Sequence, residues 1–347
     1  MKALLAATLI AALSLASVPP GAAADRGMEE LKKQSAVIGA RFVKGPLPID
    51  PSDSGWDGAA STTLTLYPQV SVTPGAAIAP RISSLTVRAL YTNTNVALRL
   101  EWPDDSPSLE RGIGRFVDAM AAQWPAKHGK GIALPYIGMG EPGAPVEIDF
   151  WRAGGKVESL VAEGFGSLGP RDAPNAEVRA EWKDGAWRVV IIRTLRFPPT
   201  AMMPVAFAIW EGSAAHRDGA KLLSPWSFIT FENTAPDKEY VHGLLWNPRG
   251  QPDPAKGRQV MEEAGCPACH AYPGVETSNG VGPDLTYAGG VHHPAYLRES
   301  IRKPSSFIVP GDGHATMEGK KKVSVMPDSG LTDESIRRIV DYLLTLH

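Results

Sequence analysis

Five consecutive residues, Cys266-Pro267-Ala268-Cys269-His270, constrain this chain more than any other stretch. Cys-x-x-Cys-His is the pattern of covalent c-type haem attachment. Two thiols three positions apart can add to the two vinyl groups of one haem. The next imidazole then falls under the iron as proximal ligand. The sequence has 2 cysteines, and both lie here. A structural zinc site normally gathers about four Cys or His ligands close together, which counts against zinc. The bland alternative is a redox-active or disulfide-forming Cys-x-x-Cys with an incidental histidine. The residues downstream of Cys269 weigh against it.

A length of 347 residues suggests two domains. The net charge of −2 points away from nucleic acid and from a membrane surface as partners. The 35 glycines and 31 prolines favour loops and short strands over long helices. Residues 1–24 read as a secretory signal. Lys2 supplies the positive start, Leu4 to Val18 the apolar run, and Ala22-Ala23-Ala24 the cleavage site before Asp25. The alternative is a membrane anchor, but a spanning helix needs about 20 apolar residues. Pro19, Pro20 and Gly21 interrupt the run as well. The expectation is a chain exported to the periplasm, cleaved near Ala24.

Met28 to Ile38 is a short helix candidate. From Trp56 to about Glu232 the texture is β. Leu85, Val87, Ala89 and Tyr91 alternate with Thr86, Arg88 and Leu90. After Asn93-Thr94-Asn95, Val96, Leu98, Leu100 and Trp102 alternate with Ala97, Arg99 and Glu101. That pattern predicts a hairpin. Val146–Trp151 and Trp187–Leu195 are further strands, the latter after an Asp184-Gly185 turn. Val205–Trp210, apolar on both faces, should lie central in a sheet. Gly114–Trp124, with Phe116, Ala119 and Met120 at helical spacing, is a helix candidate inside the β region. A long loop bearing Gly138-Met139-Gly140 follows it, and loops of that length are usually functional or disordered.

Asn233 to Pro254 is polar and proline-punctuated, and reads as a linker. Helices are predicted over 255–264, over 294–303, and from the Thr332 cap through Ile336, Ile339, Val340, Leu343 and Leu344. The division is a signal at 1–24, a mainly β domain at 25–240 of sandwich type, a linker at 241–254, and an all-α domain at 255–347.

The last segment resembles a class I cytochrome c. The matching features are the helix into Cys266–His270, Gly282-Pro283-Asp284-Leu285, Met326-Pro327, and the terminal amphipathic helix with Tyr342-Leu343. The resemblance implies one covalent haem c, with His270 and Met326 as iron ligands. A thioether on the far face raises the potential and leaves no open site, which suits electron transfer. Met317 and His314 are the alternatives for the sixth ligand. His292 and His293 read as surface residues beside a turn.

The region 40–232 resembles the haem-binding γ subunits of periplasmic molybdenum enzymes, the ethylbenzene dehydrogenase, dimethyl sulfide dehydrogenase, selenate reductase and chlorate reductase group. The match is distributed over Trp56–Ala60, Thr86–Asp105, Arg115–Pro125, Gly138-Met139-Gly140, Trp187–Val190, Val205–Gly212 and Lys221–Trp226. It implies one non-covalent haem b in a β-sandwich, with Met139 and Lys221 as the axial pair. Lysine binds iron only as the neutral amine, so burial must depress its pKa from about 10.4. Met139 between two glycines suits close approach of backbone to a flat macrocycle. Lys221 alone would suggest a solvated side chain. The family commonly has Ser directly after the Lys, whereas here Leu222-Leu223 precede Ser224, so His216 is the reserve ligand. Met120, Met202 and Met203 read as core.

Together the two resemblances imply a dihaem electron-transfer subunit of an oxidoreductase complex. Its partners would be a molybdopterin catalytic subunit, an iron–sulfur subunit, and a soluble cytochrome or membrane electron acceptor or donor. The alternative is a free-standing periplasmic dihaem carrier or haem-based sensor. A dihaem peroxidase usually carries two Cys-x-x-Cys-His sites, and this chain has one. No hydrolytic constellation and no Gly-rich nucleotide loop is present.

Overall fold

The computed structural model describes residues 20–69, 82–171, 173–196, 202–246, 251–276, 280–311 and 313–347. Residues 1–19 of the expected signal lie outside these, and so does the apolar run on which that reading rests.

The first helix, α1 (Pro20–Gln34), ends earlier than its candidate range, because Val37 and Ile38 open strand β1 (Val37–Phe42). The sheet strands follow as β2 (Ser61–Thr65), β3 (Tyr67–Pro68), β4 (Ser84–Tyr91), β5 (Asn95–Pro103), β6 (Ala119–Pro125) and β7 (Val146–Arg152). Next come β8 (Glu158–Ala162), β9 (Gly169–Pro170), β10 (Ala176–Lys183), β11 (Ala186–Thr194), β12 (Met203–Trp210), β13 (Leu222–Leu223) and β14 (Ser227–Phe231). Hydrogen bonding runs β10-β11-β5-β4-β1-β14-β12-β6-β7-β8-β9. The predicted β4–β5 hairpin forms, with Tyr91 opposite Val96. Asp184 (φ 53°) and Gly185 (φ 72°) make the turn into β11, and positive φ at both central positions is what a tight hairpin turn requires.

Strand β12 folds this path into two layers. Met203, Pro204 and Val205 pair with β14, while Ala206 to Trp210 pair with β6. The chain thus leaves one sheet and enters the other within one strand. The core between the layers joins Leu98, Leu100, Val189 and Ile191 to Met120, Ala122, Trp124 and Ile209. This is the expected mainly β sandwich-type domain.

Gly114–Trp124 is not a helix. Residues 119–125 form β6, with Met120, Ala122 and Trp124 in the sandwich core and Ala119, Ala121 and Gln123 on the opposite face, along a cavity. A short run buried on both faces shows no polar alternation, so its period is ambiguous from sequence. Met120 and Met202 are buried in the core as expected, and Met203 packs against it.

The linker expectation also needs correction. Asp237 accepts a hydrogen bond from Tyr240 N and caps helix α2 (Lys238–Leu244). Tyr240, Val241 and Leu244 pack with Leu31, Met202 and Phe228, so this segment is folded against the β domain.

The C-terminal domain contains α3 (Pro254–Glu263), a 3-10 turn at Cys266–Ala268, α4 (Ala288–Val291), α5 (Pro294–Arg302) and α6 (Asp333–Leu343). A hairpin that the sequence pattern does not predict, β15 (Ala315–Glu318) and β16 (Lys321–Ser324), precedes α6. Thr332 caps α6 by accepting from Ser335 N, and Asp333 and Glu334 sit at its positive end. Helices α3 and α6 cross at Gly257, where any Cβ would overlap the Arg338 carbonyl. Among the described residues, no helix is long and apolar enough to cross a membrane.

Candidate cofactor sites

The outer face of β6, β7 and β12 forms the floor of a cavity of about 730 Å³. That volume falls in the range of cofactor pockets. Strand alternation puts Ala119, Ala121, Ala206 and Ala208 on this face. Four methyl side chains side by side leave a flat apolar floor with room above it. Phe150, Phe165 and Leu160 supply larger apolar walls.

Met139 and Lys221 both line this cavity. They arrive from different flanks of the sheet. Met139 has φ 70° and its carbonyl accepts from Gly164 N at 2.8 Å, just beyond β8. Lys221 leads into β13, which pairs with the other side of β12. Strands β12, β6 and β7 lie between the two anchor points.

Lys221 is 5% exposed. Burial pulls its ammonium pKa down to about 8, against a smaller opposing effect of Asp218. Its Nζ donates to the Asp218 carbonyl at a long 3.4 Å and lies 5.2 Å from the centre of the Trp210 ring. A buried ammonium normally needs a carboxylate and several acceptors. Lys221 instead has a held-down pKa and an apolar cavity, an arrangement that fits a neutral amine donating its lone pair to a metal.

His216 lines the same cavity. Its Nδ1 accepts from Glu211 N at 3.2 Å, which in the neutral ring leaves the proton on Nε2. That tautomer cannot ligate iron through Nε2 without losing the proton.

Cationic groups gather at the cavity lining as Arg111, Arg115, Arg152 and Arg217. The finger bearing Arg111 and Arg115 is pinned at its base by Asp118. One carboxylate oxygen accepts from Gly212 N at 2.8 Å, and the other from Ser108 N at 2.6 Å and Trp187 Nε1 at 3.0 Å.

The second site is built locally. Gly265 (φ 77°) ends α3, and Cys269 N and His270 N both bond to Cys266 O, at 3.1 and 3.0 Å. The Gly282–Leu285 loop folds onto the motif through Gly282 N to Cys269 O (2.9 Å) and Leu285 N to Ala271 O (2.8 Å). His270 Nδ1 lies 2.8 Å from Pro283 O. Donation there fixes the proton on Nδ1 and leaves the Nε2 lone pair for a metal. A Cβ on Gly282 would stand 2.6 Å from the His270 ring, so this position must be glycine. Cys266 and Cys269 are not joined in a disulfide.

Met326 is half-buried against the helical core that also contacts Cys266. Met317 is 60% exposed on β15. His314 is half-buried, with Nδ1 2.9 Å from Val309 O, and its carbonyl accepts from Val325 N at 3.1 Å beside Met326. His292 and His293 are half-buried rather than freely exposed. His292 stacks on Tyr136 at 5.8 Å and His293 Nε2 lies 3.0 Å from Leu244 O. Burial holds both imidazoles down to about 4.

Residues 53–171 match the family model described as ethylbenzene dehydrogenase, and residues 254–347 match the cytochrome c model. A haem subunit assigned to the respiratory nitrate reductase of Haloferax mediterranei is 30% identical, over 58% of this chain and 75% of that protein. The chlorate reductase γ subunit of Ideonella dechloratans is also 30% identical, over 61% of this chain and 91% of that one. This chain belongs to the γ-subunit family of ethylbenzene dehydrogenase. The dimethylsulfide dehydrogenase γ subunit of Rhodovulum sulfidophilum is 28% identical, over 51% of this chain and 72% of its own. The family domain accounts for haem b, and the cytochrome c domain for covalent haem c. The chain is an electron-transfer subunit similar to the haem and γ subunits of these oxidoreductases.

Sequence reasoning named both axial candidates but missed the alanine floor and the arginine lining. Alternate alanines in β6 and β12 were visible in the sequence. Their meaning depends on two strands lying side by side.

Proposed function

We propose that the chain carries one haem b and one haem c and relays single electrons between a molybdenum and iron–sulfur oxidoreductase and a soluble or membrane redox partner. The observation that carries this is the convergence of Met139 and Lys221 on one apolar cavity. Haem b would supply a one-electron iron centre there, held by the Met139 thioether and the neutral Lys221 amine. Arg111, Arg115 and Arg217 offer the positive charge that two haem propionates require. In the second domain, Cys266 and Cys269 bind haem c covalently, with His270 and Met326 on its iron. Export to the periplasm fits c-type attachment and the apolar leader of the sequence.

A partner enzyme is favoured over a free-standing carrier by what surrounds the cavity. Ile113, between the lining residues Gly112 and Arg115, is fully exposed at a turn tip. Leu109 and Leu168 are 55% and 48% exposed in the same neighbourhood. Exposed apolar groups beside arginines suit a protein partner. The decisive measurement is a pyridine haemochrome assay after acid–acetone extraction. Equal amounts of extractable b and retained c are expected; c alone would remove the haem b assignment.

A further inference from the structure

The short loop 135–140 faces the Met139/Lys221 cavity on one side and the cytochrome c domain on the other. Met139 lines the haem b cavity. Tyr136, three residues earlier, sits in an aromatic cluster with the cytochrome c domain. Its ring centre lies 4.5 Å from Phe307, 5.1 Å from Tyr296 and 5.8 Å from His292, the last stacked at 26°. These separations are those of favourable aromatic pairs.

The loop itself has little freedom. Gln123 Nε2 donates to Ile137 O at 2.9 Å, Trp226 Nε1 to Pro135 O at 3.0 Å, and Gly140 N to Tyr136 O at 3.0 Å. The Tyr136 ring folds over Gly138, where a Cβ would meet it at 2.5 Å and Phe165 at 3.0 Å. Phe165 and Gly138 both line the haem b cavity beside Met139. The Tyr136 ring therefore packs against the two groups next to the proposed ligand, with its centre 6.5 Å from that of Phe165.

Two further seams fix the domains to each other. Tyr67 lies against Gly290 of α4, where a Cβ would come 2.5 Å from its ring. Trp246 bonds to Gln34 through its backbone and to Asp341 through Nε1 at 3.0 Å. The cytochrome c domain is seated on the β domain rather than merely tethered to it.

We infer that docking of the cytochrome c domain on Tyr136 positions Met139 for the haem b iron, so that Tyr136 is a positioning residue joining that domain to the haem b cavity. The inference rests on Met139 being the haem b ligand. Three variants of the full dihaem chain test it. Phe307→Ala removes the partner ring from the far domain without touching the cavity, Tyr136→Ala removes the near ring, and Tyr136→Phe keeps it. The readouts are the low-spin electron paramagnetic resonance signals of the two irons and the rate of tryptic cleavage between residues 233 and 254. Phe307→Ala and Tyr136→Ala should both shift the haem b signal, leave the haem c signal in place, and raise cleavage about tenfold as the docked state opens. Tyr136→Phe should behave as wild type. Faster cleavage with an unmoved haem b signal would overturn the positioning role, and no change in either would overturn docking as well. Met139→Ala separates the underlying reading: if it leaves the haem b signal unchanged, the ligand assignment itself fails.

Discussion

The two cofactor sites are built by opposite strategies. The haem c site is nearly contiguous: Cys266, Cys269 and His270 occupy a single turn, and Pro283 orients the imidazole from the next loop at 2.8 Å. The haem b site has no local motif. Its cavity exists because β6 and β12 present alanines side by side, and its proposed ligands, Met139 and Lys221, come from loops on different flanks of the sheet. In one site covalent chemistry dictates the spacing. In the other, burial dictates the chemistry: Lys221 becomes a possible ligand only because the fold desolvates it.

The largest expected effect tests that contrast directly. Lys221→Ala should abolish haem b binding or its low-spin Met/Lys character, while haem c stays attached and the sandwich stays folded. Lys221→Arg should fail equally, because guanidinium remains charged in proteins and has no lone pair to give. His216→Ala should be nearly silent, since its Nδ1 is already engaged by Glu211 N. Haem content and optical spectra read all three. Loss of haem b in His216→Ala with an unchanged spectrum in Lys221→Ala would make the axial pair Met/His.

Acid should also separate the sites. As the proposed ligand, Lys221 could bind iron only as the neutral amine, and burial places its pKa near 8 rather than 10.5. Folding thus favours the neutral amine, and protons compete with iron as pH falls below about 8. Haem b affinity should drop roughly tenfold per pH unit, about a hundredfold by pH 6. The thioether bonds of haem c do not titrate, so its content should stay constant. Gel filtration at pH 8, 7 and 6 checks this, and haem b retention that is flat across the range would remove Lys221 as ligand.

The same contrast explains what could be read from the sequence. Cys266–His270 was legible because its chemistry demands consecutive residues. The β4–β5 hairpin was legible because each strand alternates around a clear turn. Strand β6 was not, because both its faces are buried and polar alternation disappears. Lys221 was named through family resemblance alone, since isolated lysines are almost always exposed. Helix α2 reads as linker because it is short and polar overall, and tertiary packing of Tyr240, Val241 and Leu244 decides it. His292 and His293 look like surface residues in the sequence for a related reason: what buries them is the neighbouring domain and α2.

The smallest effect concerns Met326, the proposed haem c ligand outside the contiguous motif. Met326 lies far from His270 in sequence, so this half of the site shares the non-local character of haem b. Three side chains compete for the role. Met317 is 60% exposed on β15 and is not part of the core that contacts Cys266. His314 is half-buried and anchored through Nδ1 to Val309 O, an orientation that also suits a metal-binding imidazole. Met326 is half-buried against the core that contacts Cys266, and Pro327 follows it as in class I cytochromes c. Met326→Ala should therefore abolish the near-infrared sulfur-to-iron band of haem c and lower its potential. The haem itself should stay bound through its thioethers, and the lost packing should cost about 1–2 kcal/mol. Met317→Ala should change neither spectrum nor stability. If instead Met326→Ala keeps the band while His314→Ala converts haem c to high spin, the sixth ligand is an imidazole. The far face of the haem c site would then come from the residue just before the β15–β16 hairpin rather than from the Met-Pro turn.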